Sequence, residues 1–289
     1  MQKKKKILCA TDLSDVSGGL ICLGVELCLR FDASFLIFHA VVPPRGSLTR
    51  QLEFERGGEK DEKIIKAREK IEKRMQGVDL KWEPIITYGD PVLEVARVAE
   101  ETKTDIVIAA SRGVSSFQQF FIGSVIRSMV QSVLHPVLVM PPGKPGSELP
   151  CPKLEFANII IACSLTQSDE YLKNYAVSFC QKFNSTICLV HVMESPVNKD
   201  FLAGTCGHYD ETQTRLEEVL TKRLKELIPC KTQILHGVPG EELALYATRE
   251  KIDLIIAGVE DRPGRMVATT TATLLRYSPC ALLTVPINL

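Results

Sequence analysis

Residues 106–139 read IVIAASRGVSSFQQFFIGSVIRSMVQSVLHPVLV, and the order of residue types in this stretch decides the fold. An apolar run at 106–109 ends in a loop of small residues at 110–113, and a second apolar run at 136–140 closes the unit. Between them, Gly123-Ser124 opens a segment with helical periodicity. A strand, a glycine-bearing loop and a helix N-terminus form a geometry that binds phosphate. Glycine lets the backbone approach an anion, and the first helical N–H groups point at it.

The first half of the chain recurs in the second half in the same order. The offset between matching segments drifts only from 152 to 145 residues, which is the size of small loop insertions. This regular internal repeat predicts a duplicated domain. The matched segments are 10–13 with 162–165, 31–34 with 183–186, 103–110 with 251–258, and 137–141 with 282–286.

Hydrophobic periodicity predicts alternating strands and helices in both copies. Near-continuous Val/Ile/Leu strands joined by helices predict two tandem Rossmann-like, doubly wound α/β domains, each with a five-stranded parallel sheet. Ligands of such sheets bind beyond the carboxyl ends of the strands. The predicted strands are 6–11, 34–41, 80–87, 105–109 and 136–140, then 157–163, 186–193, 232–235, 254–257 and 281–285. The predicted helices are 16–31, 59–76, 91–102 and one from 123, then 169–183, 210–227, 239–250 and one from about 268.

The domain boundaries follow from length and from a Pro/Gly-rich run. A chain of 289 residues suits two domains. The run PPGKPG at 141–146 cannot continue a strand or begin a stable helix. We therefore predict a first domain at 1–142, a linker at 143–153 and a second domain at 154–289. Residues 197–208 are expected to cover the rim of the second sheet.

Bulk composition excludes several classes of protein. Apolar residues make up 45% of the chain, and Lys+Arg equals Asp+Glu, so the net charge is zero and no nucleic-acid partner is indicated. Because no basic excess exists, the four lysines at 3–6 are expected to form a solvated tail and not a nucleic-acid-binding arm. They also resemble the n-region of a signal peptide, but the apolar run after them breaks at Asp12, too early for an h-region. No apolar run reaches the roughly 18 residues of a membrane span. We expect a cytoplasmic protein.

Ten cysteines are scattered through apolar segments, which is typical of buried reduced thiols. Cys206 and His208 form the one sequence-local pair of metal-ligand types. Zinc requires three or four ligands, and the sequence offers no obvious partners, so a plain loop is favoured over half of a metal site.

The spacing in the opening stretch resembles the ATP-binding motif of the universal stress protein family. That motif, Gly-x2-Gly-x9-Gly-Ser/Thr ahead of a Pro-Val-Leu-Val strand, is matched except that Ala110 stands at the first Gly. The resemblance covers nearly the whole chain, twice. It implies a stress-response binding or regulatory module that takes ATP, with or without Mg²⁺.

The resemblance also implies roles for individual residues of the first copy. Asp12 would lie near the ribose and the phosphate-bound metal, Ala40 would read the adenine edge through its backbone, and Arg112 would place a cation beside the triphosphate. Asp12 has an alternative role as a helix N-cap, and both roles can hold at once. The residues expected to bind nucleotide are Ala10, Thr11, Asp12, Ala40, Ala110, Arg112, Gly113, Gly123, Ser124 and Val125. No catalytic residue or protein metal ligand is predicted.

His39 precedes Ala40, and Ala110 opens the predicted loop. His39 is expected to be a packed structural residue, because its twin His191 occurs in the copy interpreted below as inactive. If the site requires a positive φ at the first position of the loop, Ala110 costs about 1 kcal/mol relative to glycine. Such a cost would lower affinity without abolishing binding.

The second copy has lost these features. Ser164 stands where the first copy has Asp12, and the predicted loop 258–261 brings Glu260 and Asp261 to the positions of Arg112 and Gly113. Acidic groups repel a triphosphate. From the closing strand, Ala268-Thr269 falls opposite Gly123-Ser124, so the loop is three residues shorter. We interpret the site of the second copy as degenerate, so this copy is predicted not to bind ATP.

Three classes of function are considered for this sequence. The first is an ATP-binding module, with slow hydrolysis or autophosphorylation at Ser124 as a variant; no Walker lysine follows the loop. The second is an adenylating ligase, which is disfavoured because Ser17-Gly18-Gly19 lies inside a predicted helix and lacks the Asp-Ser that should follow. The third is a nucleotide-free dimerisation scaffold. The resemblance implies pairing through the last strands, either between 136–140 and 281–285 within the chain or in a homodimer.

Overall fold

The computed structural model describes residues 4–14, 18–44, 54–55, 58–111, 124–141, 154–165, 169–194, 214, 230–260 and 269–287. They form two compact units, Met1–Leu154 and Glu155–Leu289. Three predicted features lie outside the described residues: the linker 143–153, the segment 197–208 with Cys206 and His208, and the helix 210–227 apart from Thr214.

The first unit alternates strands and helices as predicted. In its described part all strands are parallel, in the order β3-β2-β1-β4-β5. The elements are β1 Lys5–Ala10, α1 Gly18–Phe31, β2 Ala33–Val41, α2 Glu59–Met75, β3 Trp82–Tyr88, α3 Pro91–Thr102, β4 Ile106–Ala110, α4 Ser124–Ser132 and β5 Val137–Met140.

The second unit repeats this plan. Its parallel strands follow the order β10-β9-β6-β7-β8, which confirms the predicted fold class of two doubly wound parallel sheets. Its described elements are β6 Asn158–Ala162, α5 Asp169–Cys180, β7 Thr186–Met193, β8 Cys230–His236, α6 Pro239–Arg249, β9 Leu254–Glu260, α7 Thr269–Tyr277 and β10 Ala281–Ile287.

Burial explains why the strands lack alternating polar residues. The successive β1 residues Ile7, Leu8 and Cys9 are all buried, so both faces of the sheet are covered. On one face, α1 approaches β2 closely at Gly24. A Cβ there would lie 2.3 Å from the Phe35 ring, so only glycine permits this packing.

The duplication extends to individual hydrogen bonds. Asp105 Oδ2 accepts a hydrogen bond from the Lys6 N–H at 2.8 Å, and Asp253 Oδ2 accepts one from the Asn158 N–H at 2.9 Å. Each bond ties the loop before a strand to the neighbouring strand. The sequence repeat therefore reflects two copies of one structure.

The two units differ where the phosphate loop was expected. In the first unit β4 ends at Ala110, but in the second β9 continues to Glu260 and pairs with β10 as far as Ile287. The prediction that a loop begins at Gly258 is therefore wrong, because Gly258, Val259 and Glu260 all belong to β9. The longer β10 supplies partners for these residues, and the sheet extends further at its carboxyl edge.

The cysteines of the described segments are all free thiols, and most are buried. Burial raises the pKa of the Cys28 thiol to about 12 and that of Cys180 to about 12 as well, so both are protonated and unreactive at neutral pH. Within the described helices, none combines the length and the apolar character that crossing a bilayer would require.

Candidate functional site

The strand order of the first unit reverses direction between β1 and β4. β1 lies between β2 and β4, and Ala10, its last residue, is in register with Ala109. The chain leaves β1 toward one side of the sheet and β4 toward the other, so a crevice opens at their carboxyl ends. This switch point brings the predicted residues Ala10, Thr11 and Asp12 beside Ala110.

A tight turn follows β1 and presents Asp12 to solvent. The Thr11 N–H donates to the Phe38 carbonyl of β2 at 3.0 Å, and Thr11 Oγ1 accepts from the Leu13 N–H at 3.0 Å. Leu13 is buried and has a φ of 56°, a conformation that is strained for a side chain of this kind. The turn is therefore held by its surroundings, not by the intrinsic preference of Leu13.

Asp12 also organises the end of this turn. Its Oδ1 accepts hydrogen bonds from the N–H and the hydroxyl of Ser14, at 3.1 and 2.7 Å. Such Asx turns are a common use of aspartate after a strand. The carboxylate is nevertheless exposed at the crevice. Asp12 can thus support the local backbone and face a ligand, as both interpretations of its role require.

Arg74, in the last turn of α2, is a contributor to the site that sequence reasoning missed. Its Nη2 donates to the Ser14 carbonyl at 2.9 Å and lies 3.4 Å from the Leu13 carbonyl. The one available signal was its place between the buried residues Ile71 and Met75 of an amphipathic helix. That signal predicts partial burial, but it does not identify a partner 60 residues away.

His39 holds the other side of the same turn. Its Nδ1 donates to the Thr11 carbonyl at 2.9 Å, and His191 makes the same bond to the Cys163 carbonyl at 2.9 Å. Because a carbonyl accepts, the proton is on Nδ1. Burial lowers the pKa of His39, against opposing effects of the Thr11 hydrogen bond and the Asp12 charge. The geometry supports the expected structural role.

The backbone groups of Ala40 face the crevice. In a strand, successive residues direct their backbone groups to alternate sides. The Phe38 carbonyl faces β1, since it accepts from Thr11, and Ala40 is two residues further on. The last β1–β2 pair is Ala10 with Phe38, so the Ala40 peptide groups are directed past the end of β1.

Ala110 is the last residue of β4, so the prediction that the loop begins at position 110 is wrong by one residue. It is in register with Met140 at the end of β4, and the next residue, Ser111, donates its N–H to the Met140 carbonyl at 2.8 Å. Extended backbone suits alanine as well as glycine, so the cost considered for a positive φ does not arise.

The remaining predicted residues belong to the loop and to α4. Val125, in the first turn of α4, is 40% exposed. Ser124 is the first residue of that helix, and its side chain is not described. Arg112, Gly113 and Gly123 lie outside the described residues.

The corresponding edge of the second unit is built differently. Ser164 occupies the position of Asp12 and is likewise exposed. Ile287, in the extension of β10, lies over Gly258, where an added Cβ would be 2.8 Å from the Ile287 Cδ1. An apolar side chain thus fills the space beside the position equivalent to Ala110.

No group of three or more His, Cys, Asp or Glu side chains converges in a metal-binding arrangement in the part of the chain that the structure describes. A metal at the first site would therefore be held mainly by other ligands. Mg²⁺ commonly binds in this way, with one or two carboxylates, water and substrate phosphates.

Fold and site geometry together define a class of protein: tandem doubly wound α/β domains with a ligand crevice at the switch point. The model of the universal stress protein family matches residues 4–141 and 155–286, and the chain belongs to this family.

Individual relatives agree with this assignment. The chain is 33% identical over 72 residues to universal stress protein MJ0577 of Methanocaldococcus jannaschii, a match spanning 25% of this chain and 44% of that protein. It is 29% identical over 145 residues to universal stress protein MJ0531 of the same organism, covering 47% of this chain and 81% of the relative. A universal stress protein from Archaeoglobus fulgidus DSM 4304 shares the fold, with a TM-score of 0.69, 20% identity and coverage of 97% and 98% of the two chains.

Proposed function

We propose that the first unit binds ATP at its switch-point crevice and that the second unit does not. The observation that carries this proposal is the convergence of Asp12, Ala40 and Ala110 at the carboxyl ends of β1, β2 and β4. These are the described residues that the family resemblance assigns to the ribose, the adenine and the start of the phosphate loop. Their spatial order follows the order of those groups in the nucleotide.

The chemistry of the crevice suits such a ligand. The exposed Asp12 carboxylate can accept hydrogen bonds from ribose hydroxyls or bind a phosphate-bound Mg²⁺. The Ala40 peptide supplies a donor and an acceptor for the adenine edge. The loop after Ala110 and the N-terminus of α4 supply the phosphate contacts in this proposal, through Arg112, Gly113, Gly123 and Ser124.

The second unit lacks the corresponding chemistry. The extension of β9 and β10 and the Ile287 side chain occupy the edge from which a phosphate loop would depart. The sequence adds Glu260 and Asp261 there, and carboxylates repel a triphosphate. We infer a structural role for this unit.

The physiological role proposed is that of a stress-response binding module whose partners change with ATP occupancy. A cytoplasmic location belongs to the proposal, because the described cysteines are free thiols, as in reducing compartments. Homodimer formation is proposed on the family resemblance.

Isothermal titration of the whole chain with ATP and Mg²⁺ tests the proposal. We expect one site per chain. Asp12→Ala should weaken binding about tenfold or more, because it removes a charged hydrogen-bonding group. Ser164→Ala, the same change at the equivalent exposed position of the second unit, should leave the affinity unaltered. Gly123→Val should abolish binding by blocking close approach of the phosphates.

Two results would contradict the proposal. Two equal sites per chain would remove the asymmetry, and the absence of any heat from ATP, ADP or cAMP would favour the nucleotide-free scaffold. Release of phosphate during the titration, measured with a coupled assay, would show that the protein hydrolyses ATP. Transfer of phosphate to Ser124, detected by mass spectrometry of the intact chain, would identify autophosphorylation.

A further inference from the structure

Several interactions hold the turn that carries Asp12. His39 of β2 bonds the Thr11 carbonyl, Thr11 Oγ1 bonds the Leu13 N–H, and Arg74 of α2 bonds the Ser14 carbonyl. The first two fix the beginning of the turn, close to β1. Arg74 alone among these three groups reaches its far end.

The far end is where the turn most needs support. Leu13 has a φ of 56°, a left-handed conformation that is strained for a non-glycine residue. The Arg74 guanidinium lies against two successive carbonyls, at 3.4 Å from that of Leu13 and 2.9 Å from that of Ser14. Both contacts are made by Nη2, whose two N–H groups can point at the two oxygens, so one side chain holds both carbonyls on the same side of the backbone.

The orientation of Asp12 depends on the same backbone. Its Oδ1 accepts from the N–H and hydroxyl of Ser14, so a shift of Ser14 moves the carboxylate with it. Arg74 therefore acts on Asp12 through one intervening residue. The contact also connects the C-terminal turn of α2 to the crevice.

We propose that Arg74 is a positioning residue for nucleotide binding, which fixes the Asp12 turn in its ligand-binding conformation by bonding the Leu13 and Ser14 carbonyls. This inference rests on the proposed ATP site. It adds a residue that does not touch the nucleotide and that lies on a different element from the expected contacts.

A double-mutant cycle on ATP affinity tests the inference in the whole chain. Arg74→Met should weaken ATP binding roughly tenfold, since coupled neighbours commonly show effects of this size. If Arg74 acts through Asp12, its removal should have little further effect once Asp12 is alanine. We therefore expect Asp12→Ala/Arg74→Met to bind within about twofold of Asp12→Ala. Arg68→Met, an exposed arginine on the same helix, should bind like the wild type.

Amide hydrogen exchange without nucleotide provides a second measurement that does not depend on ATP. Arg74→Met should accelerate exchange at residues 11–14, while Arg68→Met should not. Should the Met variant fail to fold, Arg74→Gln replaces it, because its amide can reach at most part of the same contact.

The outcomes separate the two proposals. Independent, additive effects of Asp12→Ala and Arg74→Met, or wild-type affinity and exchange in Arg74→Met, would overturn the positioning role. If the wild-type chain binds no nucleotide, the proposed function fails and the ligand-positioning role fails with it. Faster exchange in Arg74→Met would then still show that Arg74 holds the turn.

Discussion

His39 should make the first unit sensitive to mild acid. Its pKa is lowered from the ordinary value of 6.5, first by burial, so the folded state favours the neutral ring. The unfolded chain binds the proton more readily, and the stability contributed by the neutral ring is present above pH 6.5 and lost as the pH falls below it. We expect the unfolding temperature to fall between pH 7.5 and pH 5.5.

The variant that tests this prediction is His39→Gln. Glutamine at position 39 keeps a donor for the Thr11 carbonyl and cannot be protonated, so the fall in unfolding temperature should become shallower. An unchanged slope in His39→Gln would assign the acid sensitivity to other groups.

At the scale of single elements, equivalent helices begin with different caps. Asp90 Oδ1 accepts from the Val92 and Leu93 N–H groups at the start of α3, at 2.9 and 3.1 Å. Val238 has no side-chain cap bond at the start of α6, although its φ and ψ of −81° and 118° are close to those of Asp90, −69° and 124°. The backbone at Val238 thus has the conformation of an N-cap residue, but the valine side chain has no hydrogen-bond acceptor.

Exchanging these caps should have opposite effects on the two units. Asp90→Ala should lower the free energy of unfolding of the first unit by about 1 kcal/mol, and Val238→Asp should raise that of the second by up to about 1 kcal/mol. Val238 is 50% exposed, so little apolar burial is lost. Urea unfolding followed by circular dichroism measures both. A destabilised Val238→Asp variant would show that Glu241 and Glu242 in the first turn repel the new charge.

Elements with local signals could be predicted closely. The helix Pro91–Thr102 was predicted to the residue, because Asp90-Pro91 marks its start and the apolar stripe ends before Lys103. The extension of β9 could not be predicted, because Gly258-Val259-Glu260 resembles a loop until β10, nearly 30 residues later, provides its hydrogen-bond partners. Strand ends depend on the neighbouring strand, whereas helix ends depend largely on adjacent residues.

The same distinction holds for the candidate site. Asp12, Ala40 and Ala110 could be placed at one edge because the carboxyl ends of parallel strands meet there. The contact from Arg74 could not, since it arises from packing between α2 and the turn after β1. The positive φ of Leu13, which recurs at Leu165 of the second unit, had no local signal either, because leucine does not favour this conformation. Nothing in the residues next to Ala110 indicated whether its backbone would be extended, and the pairing with Met140 decides this.

At the scale of the whole molecule, the asymmetry between the units can be observed with a natural probe. The chain has one tryptophan, and Trp82 lies half-buried in β3 of the first unit. Its fluorescence therefore reports unfolding of that unit, while circular dichroism reports helices of both. A ligand that binds only the folded first unit raises its free energy of unfolding by RT ln(1 + [L]/Kd), about 2.7 kcal/mol at a ligand concentration 100 times Kd.

We therefore expect saturating ATP to move the Trp82 unfolding transition to higher temperature in the wild type. In Ser164→Ala the shift should be the same, because the second unit contributes no site. In Asp12→Ala the shift at the same ATP concentration should shrink, since a tenfold rise in Kd removes about 1.4 kcal/mol of it. The opposite result would be an unfolding temperature from Trp82 fluorescence that ATP does not change, together with a dichroism transition that ATP does shift. It would place the nucleotide in the second unit and contradict the argument from Ile287 and Glu260.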